Sequence, residues 1–156
     1  MFDKSMIYPA FALLLGIAFF ILIPKDKYKK YLIYGALFGG LGDTILVGLM
    51  SKVFHIFNYK NMGYFNVLDM FSVWTPITWA LMFSIFLYLL PVKKVYLIPY
   101  ILAFTALTGG VGITMSNFGL FEYTTPINQY IGLTATLAWL IVTAWAFVTN
   151  EKVELK

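Results

Sequence analysis

Residues 36–44 read Ala36-Leu37-Phe38-Gly39-Gly40-Leu41-Gly42-Asp43-Thr44, and residues 106–114 read Ala106-Leu107-Thr108-Gly109-Gly110-Val111-Gly112-Ile113-Thr114. Both stretches lie inside long apolar runs, so their glycines belong to helices and not to a phosphate-cradling loop. In lipid no hydrophobic force drives helices together, and small residues at helical spacing let backbones approach and pack. Gly35, Gly39 and Gly42 have that spacing along the apolar run that holds the first stretch, as do Thr108, Gly112 and Ser116 along the run that holds the second. The two segments are therefore expected to form the packed centre of a membrane bundle.

Outward from these stretches the likeness continues. Pro9 and Pro24 bracket one helix, Pro76 and Pro91 another, at the same separation, and each pair is followed by lysine. Phe54, Phe57 and Tyr59 have counterparts in Phe118, Phe121 and Tyr123. The pattern predicts a tandem repeat of two-helix units. An even number of spans per unit makes the copies parallel, related by an axis along the membrane normal. Thr125-Pro126-Ile127 echoes Thr75-Pro76-Ile77, so a last helix begins like a third first-half.

Composition sets the class. Of 156 residues 61% are hydrophobic and 12% charged, against roughly 45–50% and about 25% in soluble domains. A spanning helix needs roughly 20 mostly apolar residues, and five stretches qualify, at about 6–23, 32–53, 70–90, 95–116 and 128–149. The expected fold is all-α, a single polytopic transmembrane domain over residues 1–156. The first stretch lacks a basic leader and a small-residue cleavage site, so it is expected to remain as a span. The absence of cysteine excludes disulfides and thiolate metal sites, and one histidine, His55, excludes a multi-histidine centre. No cofactor or metal is expected. His55 itself reads as an interfacial ring.

All eleven basic residues are lysines. Lys25, Lys27, Lys29, Lys30, Lys93, Lys94, Lys152 and Lys156 fall on one side of the predicted spans, and Lys4, Lys52 and Lys60 on the other. The positive-inside rule places the richer side in the cytoplasm, leaving the N-terminus external and the C-terminus cytoplasmic in a multi-pass protein of the cell membrane. This distribution accounts for the net charge of +4 without a nucleic-acid partner. The other side carries loops rich in Phe, Tyr and Asn, which suit the headgroup region.

Asp43 is the residue hardest to explain structurally. A charged carboxylate in mid-membrane costs from about 2.5 kcal/mol upward and normally faces a bundle interior or a cavity. Its repeat counterpart is Ile113, so the duplicated scaffold did not need an acid. Two readings stand side by side: a ligand site, or a neutral acid hydrogen-bonded to Thr44, Thr114 or a carbonyl as packing glue. Asp69 opens the third span and reads first as a helix cap. Candidate ligand-binding residues are Asp43, Thr44, Asp69, Trp74, Trp79, Thr114 and Asn117; candidate packing residues are Gly35, Gly39, Gly42, Gly112 and Ser116. Trp74 and Trp79 lie on different helix faces, one toward lipid and the other toward the bundle.

Gly42-Asp43 inside span two, the aromatic outer loop, Leu68-Asp69 at span three, Leu90-Pro91-Val92-Lys93 and the Phe118–Tyr123 stretch together resemble a group of small five-span membrane proteins of unassigned function from spore-forming Gram-positive bacteria. More locally, Gly39-Gly40-Leu41-Gly42 followed by Phe65-Asn66-Val67-Leu68-Asp69 resembles the two catalytic segments of lipoprotein signal peptidase. That resemblance implies an intramembrane aspartyl hydrolase with Asp43 and Asp69 as its dyad. The chain departs from it: Leu46 stands where the family's first aspartate falls, and the neighbouring arginine is missing. A dyad would further require a re-entrant outer loop to bring the two acids to one depth.

Three functions follow as expectations. The first is non-enzymatic binding or passage of a small solute, ion or lipid through an outward-facing pocket near Asp43. The second is the hydrolase, and the third a structural or regulatory subunit docking a second copy or a partner membrane protein in the bilayer.

Overall fold

The computed structural model describes residues 3–154; Lys156, counted above with the cytoplasmic lysines, lies outside the described residues. The chain forms helices α1 (Lys4–Leu22), α2 (Lys25–Val53), α3 (Trp74–Tyr88), α4 (Lys94–Asn117) and α5 (Pro126–Asn150). All but α3 are long and apolar enough to cross a membrane. Helix α3 is apolar but has only 15 residues, about 22 Å at 1.5 Å per residue.

The third span was expected at 70–90, and its start is corrected. Residues ahead of it fold back as a hairpin of β2 (Asn66–Val67) and β3 (Phe71–Ser72), following β1 (Phe57–Tyr59) in the same connection between α2 and α3. Leu68, Asp69 and Met70 form the hairpin tip; Leu68 and Asp69, both at φ +53°, are the left-handed central pair of a turn that Met70 N closes on the Val67 carbonyl at 3.0 Å. The Asp69 amide donates to Asn66 Oδ1 at 3.0 Å, and the two side chains bond each other. Asp69 thus closes a turn and does not cap a helix, because the chain needs Phe71 and Ser72 for the ladder before it can coil at Trp74.

Helix α3 is the centre of the bundle. Met82 through Leu87 are all buried, as befits a helix enclosed on every side. The expectation that spans two and four form the packed centre is corrected here: the glycines of α2 meet α3. A Cβ on Gly35 would overlap the Ala80 carbonyl and Ser84 Oγ, and one on Gly39 would overlap the Trp79 carbonyl. Ser84 Oγ lies 2.7 Å from the Ala80 carbonyl and 2.9 Å from that of Tyr31, so its proton also ties α3 to α2. Gly42 instead receives the Trp139 ring of α5, whose Nε1 donates to the Phe38 carbonyl at 2.9 Å. Helix α4 packs on α5, where a Cβ on Gly109 would come within 3.0 Å of Leu133. Glycine spacing announces a close approach; it does not name the neighbour.

Helix α2 is irregular in a way its sequence does not announce. Two π-helical segments, Ala36–Leu41 and Gly48–Val53, flank the regular turns Gly42–Val47 that carry Asp43. Such segments widen the helix locally and recur at functional sites.

The two ends of the bundle differ. At the lysine-rich end Lys30 pairs with Glu151, Tyr34 donates to the same carboxylate at 2.8 Å, and Lys27 lies over the Tyr88 ring. The Lys30 hydrogen bond, with that of Tyr34, holds the Glu151 carboxyl below its ordinary value of 4.5. Because the folded value is the lower one, this latch stabilises fully above the ordinary value and is lost as pH falls through the folded value. Both partners are partly exposed, so the contribution stays below about 1 kcal/mol. Glu151→Gln protein should therefore lose less melting temperature than wild type on acidification from neutral pH. Equal losses would remove the latch from the stability account.

At the opposite end β1 pairs antiparallel with β4 (Phe121–Tyr123), placing Phe57 opposite Tyr123 and Tyr59 opposite Phe121. Flanking bonds extend the ladder, Lys60 N to the Leu120 carbonyl at 2.9 Å and Thr124 N to that of Ile56 at 3.0 Å. The buried Tyr8 hydroxyl lies 2.8 Å from both the Lys60 and Leu120 carbonyls, fastening α1 to both loops. The two aromatic loops, expected as separate headgroup segments, form one roof.

Candidate functional site

Beneath this roof all five helices enclose a cavity of about 150 Å³. Helix α2 turns Asp43, Leu46, Val47 and Met50 toward it, residues spaced to share one face. Helix α3 contributes Thr75, Thr78, Trp79, Met82 and Phe83, again on one face. Tyr8 and Phe11 of α1, Thr108 and Gly112 of α4, and Thr136 and Trp139 of α5 complete the walls. Phe57, Tyr59, Phe121 and Tyr123 form the ceiling. In β1 and β4 alternate residues share a face, so these four rings point inward while Asn58 and Glu122 face out, exposed.

The ceiling is a continuous aromatic surface. Phe57 and Phe121 centroids lie 4.7 Å apart, Phe121 and Tyr123 4.8 Å, and Tyr59 and Phe121 5.3 Å. Burial holds the Tyr59 hydroxyl well above the usual tyrosine range, and the charge of nearby Asp43 pushes the same way. Burial likewise raises Tyr123. Both are neutral phenols at any physiological pH.

Polar bookkeeping isolates Asp43. Thr78 donates to the Trp74 carbonyl at 2.7 Å, Thr108 to that of Thr105 at 2.8 Å, and Thr136 to that of Gly132 at 3.0 Å. Each hydroxyl proton is spent on its own helix, as threonines in helices commonly do. Thr75 Oγ1 is buried and has no partner among the described residues. Thr44 donates to Gly40 and Thr114 to Gly110, so neither serves Asp43 as packing glue. Protein surrounds Asp43, yet part of it stays accessible, and that part faces the cavity. Among the described residues no other carboxyl lines the space, nor does any lysine or histidine. Among the described residues no group of three His, Asp or Glu side chains gathers to hold a metal ion.

Of the candidate ligand residues, then, Asp43 and Trp79 line the cavity, and Gly112, a candidate for packing, lines it too. Thr44 and Thr114 are turned to their own helices. Trp74 packs into the cluster around Tyr8, Met62 and Leu120, edge-on to Phe65, so both tryptophans are half-buried against the protein and not split between an inner and an exposed face. Asn117 is exposed at the end of α4, and Ser116 lies off the cavity beside it. Asp69 sits exposed at its hairpin and off the cavity wall. With one acid on the cavity wall and the other exposed away from it, Asp43 and Asp69 are not brought together as a dyad.

The sequence reading missed Tyr59, Tyr123, Tyr8, Thr75, Thr78 and Trp139. A signal existed for two of them: Phe57-Asn58-Tyr59 and Phe121-Glu122-Tyr123 alternate aromatic and polar residues, the period of a strand with one covered face.

No family model, curated protein or solved structure matches the chain.

Proposed function

We propose that this chain is a multi-pass protein of the cell membrane that binds a small organic cation, a quaternary or protonated amine, in the cavity beside Asp43, as a carrier or receptor and not as a catalyst. The observation that carries the reading is the lone carboxyl of Asp43, without a hydrogen-bond partner among the described residues, facing a cavity walled by Trp79, Trp139, Phe83 and the aromatic ceiling. An acid so placed is costly in a bilayer unless a cation offsets it. Aromatic faces attract cations by about 0.5–2 kcal/mol each, most strongly when desolvated. A bare metal ion would want several oxygen ligands, whereas a single carboxylate among rings suits a charge spread over a methylated or alkylated nitrogen. A cavity of about 150 Å³ admits a molecule of roughly benzene's size.

The same reading takes α3 as the fifth span and the lysine-rich end as cytoplasmic. Single-cysteine labelling in this cysteine-free chain tests it: position 64, where Tyr64 is fully exposed in the loop between α2 and α3, should react in intact cells with an impermeant reagent and position 27 should not. The roof also favours a parallel repeat. Tyr59 pairs with Phe121, the counterpart of Phe57, and Phe57 pairs with Tyr123, the counterpart of Tyr59, the exchange a two-fold axis along the membrane normal produces.

Binding is tested with tetramethylammonium, titrated into the protein in nanodiscs against empty nanodiscs. Saturable binding that competes with protons is the expected result. Absence of binding at millimolar concentrations would sink the cation reading.

A further inference from the structure

We infer that the cavity is entered sideways from the bilayer, between α1 and α4, and that its ligand is a cationic amphiphile whose alkyl chain lies in the groove between those helices. The inference rests on the cation reading and adds the route and the tail.

Three observations converge on it. First, both aqueous ends are fastened, the roof by the β1–β4 ladder and Tyr8, the lysine end by Lys30, Tyr34 and Glu151. Second, α1 and α4 do not close on each other as α2 and α3 do. Where a Cβ on Gly39 would strike backbone, one on Gly110 would meet nothing within 4 Å. The open groove runs along Ile7 and Phe11 of α1 and Leu107, Gly110, Thr114 and Phe118 of α4. Third, Phe11, Val111 and Met115 line both this groove and the cavity. The partition between the lipid side and Asp43 is therefore one layer of side chains, one of them an adaptable methionine.

The groove fits hydrocarbon. Leu107 and Phe118 are 54% and 50% exposed, and Thr114 spends its proton on the Gly110 carbonyl at 2.9 Å. A single molecule with a charged head at Asp43 and a tail leaving past Met115 satisfies the acid, the rings and the apolar channel together. A second helix seated in the groove would leave the acid unanswered.

The test uses decyltrimethylammonium carrying a diazirine at the chain end, photolysed on the full-length protein in nanodiscs, with adducts mapped by mass spectrometry. Adducts should concentrate on the groove residues of α1 and α4. Their yield should fall about tenfold or more in Asp43→Asn, which loses the head site, and in Gly110→Trp, which fills the channel. Gly110→Leu, with a melting curve matched to wild type, guards against misfolding as the cause. Adducts on residues 57–59 or 121–123 would mean a tail leaving through the roof and would overturn lateral entry. So would groove adducts indifferent to Asp43, or rapid disulfide dimers of Gly110→Cys protein, which would seat a second copy there. Wild-type binding of tetramethylammonium without Asp43-dependent adducts overturns this inference alone; failure of tetramethylammonium itself removes the cation reading beneath it.

Discussion

Replacing Gly39 by leucine is expected to destroy the bundle. Even the first carbon of any side chain would occupy the space of the Trp79 carbonyl, and backbone cannot swing aside as a flexible side chain can. Helices α2 and α3 would have to separate, breaking the Ser84 contact with the Tyr31 carbonyl and opening the core around Phe86. Overpacking costs typically 1–3 kcal/mol and more where backbone is struck, so a loss of at least about 3 kcal/mol is expected. Gly39→Ala should already lower the melting temperature in detergent, while Gly110→Ala, with open space before it, should leave it level. A Gly39→Leu protein melting like wild type would mean that the α2–α3 contact is not the keystone described.

Asp43→Asn should abolish most cation binding while leaving the fold intact. The amide keeps the shape and removes the charge, and truncating one member of a buried charge pair costs about 2 kcal/mol or more, roughly thirtyfold in Kd. The proton competition should vanish with the acid. Asp43→Leu separates function from packing more sharply. Because no partner among the described residues holds the carboxyl, leucine orphans nothing and fills apolar space, so the variant should melt at or above wild type while binding nothing. Such trade-offs are usual where a site is kept at the expense of stability. Destabilisation by leucine together with wild-type binding by asparagine would return Asp43 to a packing role.

Much of this was legible in the chain. Hydropathy located α1, α4 and α5 within two residues at each end, since a 20-residue apolar run has few other fates; α2 ends where expected but starts at Lys25 and not at 32, because its first turns are rich in lysine and tyrosine. Asp43 stood out because an acid in such a run demands a reason. The start of α3 was hidden because Leu68 and Asp69 take left-handed backbone without the Asn-Gly signature that marks tight hairpins; only the surrounding ladder holds them there. The partner of the α2 glycines was hidden because spacing fixes a face and not a direction in the bundle. Thr44 and Thr114 looked like partners for the acid, yet a helical threonine bonds its own turn first. Tyr59 and Tyr123 escaped because their strands have three residues each and lie on different loops, so neither is a strand until the other arrives.

That last dependence orders the protein's birth. β1 is synthesised before α3 and α4, and β4 only after both, so the backbone groups that Ile56 and Lys60 turn to β4, and the contact of the Tyr8 hydroxyl with the Leu120 carbonyl, wait until two further helices have been made. Chains emerge N-terminus first, and a contact that closes over so long a loop comes late. The clasp can be fastened only once Thr124 has been made, and until then the cavity has no ceiling. The last local contact to form is thus the one that roofs the cavity.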